Sequence, residues 1–472
     1  MTGKIWLVGA GPGDSGLLTL RGCEVLKRAD VVIYDRLIGE GILAMIPEEA
    51  ERIDAGKSSS AHTLSQQEIE SLMIQYARSG KTVVRLKGGD PYIFGRGGEE
   101  SQAIISAGLD FGVVPGVSSA VSVPAYAGIP ATHRDYCSGL NIFTAHDKHN
   151  LLPDFSDTVS IFLMGVSNAK DLQEKLLLSL NPETPCAVIQ DGTTSRQRIF
   201  RTRLDSLHST IIKNHLAPPA VIVVGKTAAL TLDWRNTLPL SSKRIIITRP
   251  QGRGESLSEK LRDLGAEVIH LPTIRLLTLH GSLDGVNLSG WDWIGFTSVT
   301  GVNAFFELLN ESGRDVRELG IAKIAAIGSA TADSLRTHGL KVDYVPEIFD
   351  GVHLAEGLAK IAEGVLMFRA ENGSEDISRI LSRHRIRNKQ VCIYRTDYVQ
   401  LLHVPKYTDI IIFTSASTVK GFCHSVKDMR SVKTVCIGRQ TADEAVRQGF
   451  SDVVIAEQAD IDSLVKAVLS CS

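Results

Sequence analysis

The sequence predicts an α/β protein of two modules, each itself double, and three observations carry that reading. Short apolar strand-like runs alternate with helix-period patterns along the whole chain, the signature of largely parallel sheets covered by helices. The alternation breaks once, in Thr231-Leu-Asp-Trp-Arg-Asn-Thr-Leu-Pro-Leu-Ser-Ser-Lys243, which loses periodicity, carries a proline and two serines, and precedes a fresh strand, Arg244-Ile-Ile-Ile-Thr248. The part beyond the break then repeats itself. Phe296-Thr-Ser-Val-Thr-Gly-Val-Asn-Ala-Phe-Phe306 is echoed by Phe413-Thr-Ser-Ala-Ser-Thr-Val-Lys-Gly-Phe422, and Ala326-Ile-Gly-Ser-Ala-Thr-Ala-Asp333 by Cys436-Ile-Gly-Arg-Gln-Thr-Ala-Asp443. The spacing, about 110–120 residues, is too long for a solenoid and fits two similar α/β lobes. With 472 residues the chain exceeds one ordinary core. The expected division is 1–235, a linker at 236–243, and 244–472.

The first module opens on Lys4-Ile-Trp-Leu-Val-Gly-Ala-Gly-Pro-Gly-Asp14, a strand running into a glycine loop. That pattern invites a dinucleotide reading, with Asp30 or Asp35 as the ribose acid about 20 residues on. However, the glycines at 9, 11 and 13 do not follow G-x-G-x-x-G, and Pro12 with Asp14 puts a rigid kink and a negative charge where a pyrophosphate would sit. The most informative stretch is Arg85-Leu-Lys-Gly-Gly-Asp-Pro-Tyr-Ile-Phe-Gly-Arg-Gly-Gly-Glu-Glu100. Val83 and Val84 lead in as a buried strand, Gly88, Gly89, Asp90 and Pro91 stop it, and Gly97 and Gly98 precede a helical run from about Glu99. A surface turn needs one or two glycines. So many beside Asp90 point to backbone that closely approaches a ligand, with a carboxylate to hold a hydroxyl or a cation.

Composition narrows the partners. A net charge of −2 gives no bulk attraction to nucleic acid or anionic membrane, so a polyanionic small substrate needs a local basic patch. Arg85, Lys87, Arg96, His133 and Arg134 are candidates for one. No apolar run approaches the ~20 residues that span a bilayer, and the early first strand predicts no signal peptide. The seven cysteines are scattered and never spaced Cys-x-x-Cys, which favours reduced thiols in a cytoplasm and speaks against a metal site.

Over residues 3–235 the ordered motifs resemble the uroporphyrinogen-III C-methyltransferases of the tetrapyrrole methylase superfamily. The carriers are Val8-Gly-Ala-Gly-Pro-Gly-Asp14, Tyr34-Asp-Arg-Leu37, Gly56-Lys57, Arg85 to Glu100, Val114-Pro-Gly-Val-Ser-Ser119, Gly128-Ile-Pro-Ala-Thr-His-Arg134 and Phe162-Leu-Met-Gly165. The resemblance implies a tetrapyrrole methylase fold of two α/β subdomains with S-adenosylmethionine between them. By motif position its contacts are Pro12, Gly88, Gly89, Asp90, Ile93, Ser118, Ser119, Met164 and Gly192. Met164 taken alone reads as core packing, and Gly192 as a turn. The resemblance further makes Asp35 the proton acceptor and Lys57 a proton donor, gives His133 and Arg134 to the substrate's carboxylates, and implies a homodimer through this module.

Residues 244–472 resemble uroporphyrinogen-III synthase, through Ile247-Thr-Arg-Pro250, the paired Phe-Thr-Ser and Ile-Gly turns, and Cys392-Ile-Tyr-Arg-Thr396. Each repeated turn reads strand, Ser/Thr/Gly, helix, and so offers N–H groups and hydroxyls at a helix N-terminus. Simple N-capping explains any single serine equally well. The resemblance implies a bilobed α/β module whose lobes are about 244–278 with 398–472, and 282–392. It implies no cofactor and Tyr394 as an aid to the leaving hydroxyl (a structural tyrosine being the alternative), while the repeated turns themselves offer Ser298, Ser329, Ser415 and Thr441, with Arg249, as contacts for a carboxylate-rich substrate. The expectation is a bifunctional enzyme that cyclises hydroxymethylbilane to uroporphyrinogen III and methylates it at C2 and C7 to precorrin-2, for siroheme or cobalamin synthesis. Two alternatives stay open: a C-terminal half that only binds tetrapyrrole, and an N-terminal half that is a nicotinamide oxidoreductase.

Overall fold

The computed structural model describes residues 2–56, 64–145 and 157–471. The chain forms two compact units, Met1–Pro272 with Gln400–Ser472, and Thr273–Val399. The first unit begins with β1 (Ile5–Gly9), α1 (Leu20–Leu26), β2 (Val31–Tyr34), α2 (Glu40–Leu43), β3 (Glu51–Asp54), α3 (Gln66–Arg78), β4 (Val83–Lys87), α4 (Gly97–Ser106), β5 (Phe111–Val114) and α5 (Ser119–Tyr126). The strands build an all-parallel sheet of order β3-β2-β4-β1-β5. Its central strands bury apolar residues on both faces because helices cover both. Val8, Val32, Val84 and Leu86 enter one core, and Ile5, Leu7, Val31, Ile33 and Val83 the other.

A second sheet follows, from β6 (Gly139–Thr144), β7 (Thr158–Leu163), α6 (Ala169–Leu177), β8 (Pro185–Gln190), β9 (Arg198–Arg203), α7 (Leu207–Lys213) and β10 (Ala220–Val224), in the order β6-β7-β10-β8-β9. β10 is antiparallel to both its neighbours, so β7 and β8 run the same way and end at the same edge.

The end of the first expected module and the expected linker 236–243 that follows it are both packed. Trp234 Nε1 donates to the Ala125 carbonyl at 3.0 Å, and the buried Arg235 donates to the Thr194 carbonyl at 3.0 Å and the Gly265 carbonyl at 3.5 Å. Leu240 is fully buried in the next core, with its N–H on the Leu264 carbonyl at 2.9 Å.

The chain continues with β11 (Arg244–Ile247), α8 (Glu255–Asp263) and β12 (Glu267–His270), then leaves for the second unit. That unit holds β13 (Ile274–Thr278), β14 (Trp293–Phe296), α9 (Val299–Glu311), β15 (Lys323–Ala326), α10 (Ser329–Thr337), α11 (Gly351–Leu358), β16 (Gly364–Ala370), α12 (Asp376–Arg383) and β17 (Arg387–Tyr398), with sheet order β13-β17-β16-β14-β15. The return leg supplies β18 (Ile410–Phe413), α13 (Ala416–Ser425), β19 (Lys433–Cys436), α14 (Arg439–Arg447), β20 (Val453–Ile455) and α15 (Ile461–Ser470), completing the parallel sheet β12-β11-β18-β19-β20 of the first unit. One boundary differs from expectation. Residues 274–278, assigned to the first lobe, pair antiparallel with β17 and so belong to the sheet of the second unit. No described helix is long and apolar enough to cross a membrane.

Candidate active site

Three adjacent strands, β4, β1 and β5, end at one edge of the first sheet, and their loops cross there. Gly11 N–H donates to the Gly89 carbonyl at 3.1 Å, and Gly89 N–H returns a bond to Gly11 at 2.8 Å. No side chain fits at the crossing: a Cβ on Gly9 would lie 2.5 Å from Gly116 Cα and 2.6 Å from the Gly89 carbonyl oxygen. Asp90 ties the loops together, its Oδ1 accepting from Tyr92 N–H at 2.8 Å and its Oδ2 from Gly116 N–H at 3.0 Å. Gly89 does different work. Its φ of +69° is a left-handed conformation that favours glycine, and a Cβ there would come no nearer than 3.7 Å to Ser119 N and 3.8 Å to Ser118 Cα. A Cβ at Gly89 would thus be in ordinary contact with the start of α5, where Ser118 caps the helix by accepting from Ala120 N–H at 3.3 Å. Pro12 lies half-buried on the first loop, Gly88 precedes Gly89, and Ile93 is exposed beside them.

The second sheet adds Met164 after β7 and Gly192 after β8. Met164 has φ +57° and is 46% exposed, while Asp191 and Thr193 have φ of +49° and +69°. Left-handed residues with side chains cost about 1–2 kcal/mol each, and they cluster where the surroundings impose a functional geometry. Gly192 packs on α5, since a Cβ would lie 2.5 Å from a Val123 methyl. Asp14 N–H donates to Thr193 Oγ1 at 3.3 Å, and the Tyr126 hydroxyl donates to Asp14 Oδ2 at 2.9 Å. Burial first, then the Asp14 carboxylate, raises the Tyr126 pKa, so the hydroxyl keeps its proton for that bond. These contacts draw the Gly192 loop onto the loop after β1 and onto α5.

Asp35 follows β2 at the same edge. Its Oδ1 accepts from Arg85 Nη2 at 2.5 Å. Arg85 Nε and Lys87 Nζ each donate to Glu100 Oε1 at 2.9 Å. Arg85, Lys87 and Glu100 are at most 2% exposed, whereas the Asp35 side chain is 33% exposed. Glu100 Oε2 is buried with no hydrogen-bond partner. Burial works against the charged Arg85, but the Asp35 and Glu100 carboxylates outweigh it and raise its pKa. The Lys87 pKa is pushed down, by burial first and the neighbouring Arg85 cation second.

This corrects the expected basic patch. Arg85 and Lys87 alternate with Val84 and Leu86 on a central parallel strand, so they point into a helix-covered layer rather than to solvent. Arg96 and Arg134 are exposed, and Arg96 pairs with Glu99 at 3.3 Å. His133 is half-buried, its Nδ1 accepting from Asp135 N–H at 3.2 Å. Lys57 lies outside the described residues; Gly56 before it packs on the loop after Asp35, a Cβ there lying 2.5 Å from Arg36 N.

In the synthase-like half all four repeated motifs form strand, turn, helix. Ser298 and Ser415 cap α9 and α13, accepting from Gly301 N–H at 2.9 Å and Thr418 N–H at 3.3 Å. The corresponding caps of α10 and α14 are Gly328 and Gly438, which supply no side-chain bond. Ser329 is the first residue of α10. Thr441 departs from expectation: it is 4% exposed inside α14, so it packs in the lobe rather than presenting its hydroxyl to a ligand. Tyr394 is 8% exposed, with its hydroxyl 2.9 Å from that of Ser298. Arg249 follows β11, and its pKa is lowered by burial and then by the nearby Arg253.

Residues 4–208 match the family model of tetrapyrrole (corrin/porphyrin) methylases, and residues 255–466 that of uroporphyrinogen-III synthase HemD. A porphyrin biosynthesis protein HemD of Ruminiclostridium josui is 40% identical, over 99% of this chain and 98% of its own. The chain belongs to this family of fused tetrapyrrole methylase and uroporphyrinogen-III synthase proteins. A uroporphyrinogen-III C-methyltransferase of Bacillus subtilis (strain 168) is 33% identical over 89% of this chain and 91% of its own. A crystal structure of the uroporphyrin-III C-methyltransferase of Thermus thermophilus with S-adenosyl homocysteine is 37% identical, covers 48% of this chain and 98% of that one, and has a TM-score of 0.42.

The methylase half of this fusion fits a methyl donor on its own geometry. Gly89 presents bare backbone beside Ser118 and Ser119, and Met164 after β7 is an exposed, polarizable side chain. The sequence reading missed the Arg85–Glu100–Lys87 network. Its signal was available in two cations spaced by two on a strand of a parallel sheet, followed by acidic residues at the start of the next helix.

Proposed function

We propose that the synthase half cyclises hydroxymethylbilane to uroporphyrinogen III and that the methylase half methylates this product at C2 and C7, giving precorrin-2 for siroheme or cobalamin synthesis. Pro12, Gly88, Gly89, Asp90, Ile93, Ser118, Ser119, Met164 and Gly192 hold the methyl donor. When bound, S-adenosylmethionine supplies an electrophilic methyl group on a sulfonium. The loops orient the pyrrole carbon toward it and keep water out, so positioning dominates the rate. Asp35 accepts the proton that the methylated ring loses, and Arg85 sets the direction of its carboxylate. Lys57 is the proton donor, and His133 and Arg134 receive the substrate's carboxylates, Arg134 by its bidentate fork.

In the synthase half, Arg249 and the helix-start hydroxyls of Ser298, Ser329 and Ser415 take the carboxylates of the linear tetrapyrrole. Tyr394 hydrogen-bonds the hydroxyl that leaves as water, and the ring closes with inversion of ring D through a spiro intermediate, without a cofactor. The enzyme works in the cytoplasm as a homodimer through its methylase half.

The observation that carries this reading is Asp35, a partly exposed carboxylate braced by a buried cation at the edge where the glycine loops cross. Incubation of uroporphyrinogen III with S-adenosylmethionine should add two methyl groups by mass. Calorimetry should give binding of S-adenosyl homocysteine; binding of NAD or NADP alone would overturn the reading. One observation favours a purely binding role for the second half: Tyr394 is mostly buried, with its hydroxyl beside that of Ser298. Formation of only the type I isomer from hydroxymethylbilane would establish that role.

A further inference from the structure

Three methylase loops carry the proposed chemistry, those of Pro12, Asp35 and Gly192, and each is gripped by the first synthase lobe. Arg262 Nη2 donates to Ser15 Oγ at 3.3 Å. Arg244 Nη1 meets Glu40 Oε2 at 2.7 Å. Glu267 Oε2 accepts from both the N–H and the hydroxyl of Ser195, at 2.8 and 2.6 Å. Arg244 joins two of these grips, since its Nη2 lies 2.7 Å from Glu267 Oε1. Its guanidinium also stacks on Tyr407, 3.8 Å from the ring centre, and the Tyr407 hydroxyl lies 3.1 Å from that of Ser195. Arg244, Glu267 and Ser195 are all buried.

The gripped loops lean on one another as well. A Cβ on Gly39 would run into the Gly13 carbonyl, and one on Gly41 would sit 3.2 Å from Ser15 and 3.7 Å from the Val268 carbonyl of β12. Buried ion pairs are costly to desolvate, and their best-attested use is registry rather than net stability. Here the registry they set is that of Asp35, five residues before Glu40, and of Gly192, three before Ser195. Arg244 and Glu267 open β11 and β12, whereas Arg249 follows the end of β11. The two reactions therefore draw on opposite ends of the same strand.

We propose that Glu40, Arg244 and Glu267 are positioning residues for methyl transfer, so that the methylase site of this fusion is completed by the first lobe of its synthase half. This rests on the methyl-transfer reading above. Misplacing a catalytic group by about 1 Å can cost on the order of a hundredfold, and the two grips act on different groups.

The test uses the full-length protein. Glu267→Gln should raise KM for S-adenosylmethionine about tenfold with kcat little changed, because it loosens the Gly192 loop. Glu40→Ala should lower kcat about tenfold with that KM nearly kept, because it loosens the Asp35 loop. Type III uroporphyrinogen formation, measured on the same preparations, should stay at the wild-type rate. Wild-type methylation kinetics in both variants would overturn the proposal. If either variant loses both activities through misfolding, Ser195→Ala, which removes one hydroxyl, carries the test, and an unchanged KM for S-adenosylmethionine there contradicts it. Wild-type protein that fails to bind S-adenosyl homocysteine defeats the methyl-transfer reading itself, which separates the two failures.

Discussion

The loop after β2 and the loop after β18 both leave the end of a parallel strand, yet they are held in different ways. Asp35 is braced by Arg85 from the neighbouring strand, and Arg85 is balanced in turn by Glu100 from α4, which also takes Lys87. Ser415 is braced by its own helix, accepting from Thr418 N–H and lying 2.9 Å from the Ser417 hydroxyl. A charged group that must keep one direction is held here by counterions brought from distant sequence, whereas a hydroxyl at a helix start is placed by local backbone geometry. The first arrangement is therefore sensitive to substitutions far from the chemistry, and the second to local ones only.

The sharpest way to break this contrast is Asp35→Asn. Methylation should fall by about 10²- to 10⁴-fold, the range for loss of a general base, while calorimetric binding of S-adenosyl homocysteine and synthase turnover are kept. Wild-type methyl incorporation by mass spectrometry would make Asp35 a structural residue. Next comes Glu100→Ala, which removes the carboxylate that Lys87 pairs with in the core and leaves Arg85 with Asp35 alone. It should cost about 3–5 kcal/mol in the denaturant unfolding of the methylase half, and a loss below 1 kcal/mol would mean that the network is not held as described.

Gly89→Val puts a β-branched side chain at φ +69° and against the start of α5 at Ser118 and Ser119. S-adenosyl homocysteine binding should disappear from calorimetry, with the synthase rate untouched; retained binding would place the cofactor elsewhere. Ser415→Ala is the local counterpart and should cost only about 1 kcal/mol in thermal unfolding of the first synthase lobe. A loss as large as that of Glu100→Ala would erase the comparison.

The smallest effect is a pH slope. His270 ends β12, its ring N–H donating to the Arg249 carbonyl at 2.9 Å, and burial foremost lowers its pKa. Below about pH 6.5 the unfolded chain takes up a proton that the folded lobe resists, so stability is fully present above that pH and is lost as pH falls toward the lowered folded value. His270→Gln should flatten this acid-side slope in melting temperature, and an unchanged slope would assign it to other groups.

Much of this was legible in the sequence because it is local. Gly89, Ser118 and the Phe-Thr-Ser turns announce strand ends and helix starts through residue type, and the structure forms those elements there. What was not legible depends on which strand neighbours which. Arg85 and Lys87 read as surface cations until β4 is seen between β2 and β1, covered on both faces. Thr441 reads as a turn hydroxyl until α14 begins two residues before it and turns it inward. The segment 231–243 lacks periodicity, yet Arg235 and Leu240 pack because the surfaces they meet come from residues 194 and 264–265.

One reaction tests the central claim most directly: full-length protein with hydroxymethylbilane, run with and without S-adenosylmethionine, and read by mass and by isomer separation after oxidation. The account predicts type III uroporphyrin without the methyl donor and a gain of two methyl groups with it. Type I product without the donor, with methylation only when uroporphyrinogen III is supplied, would contradict it.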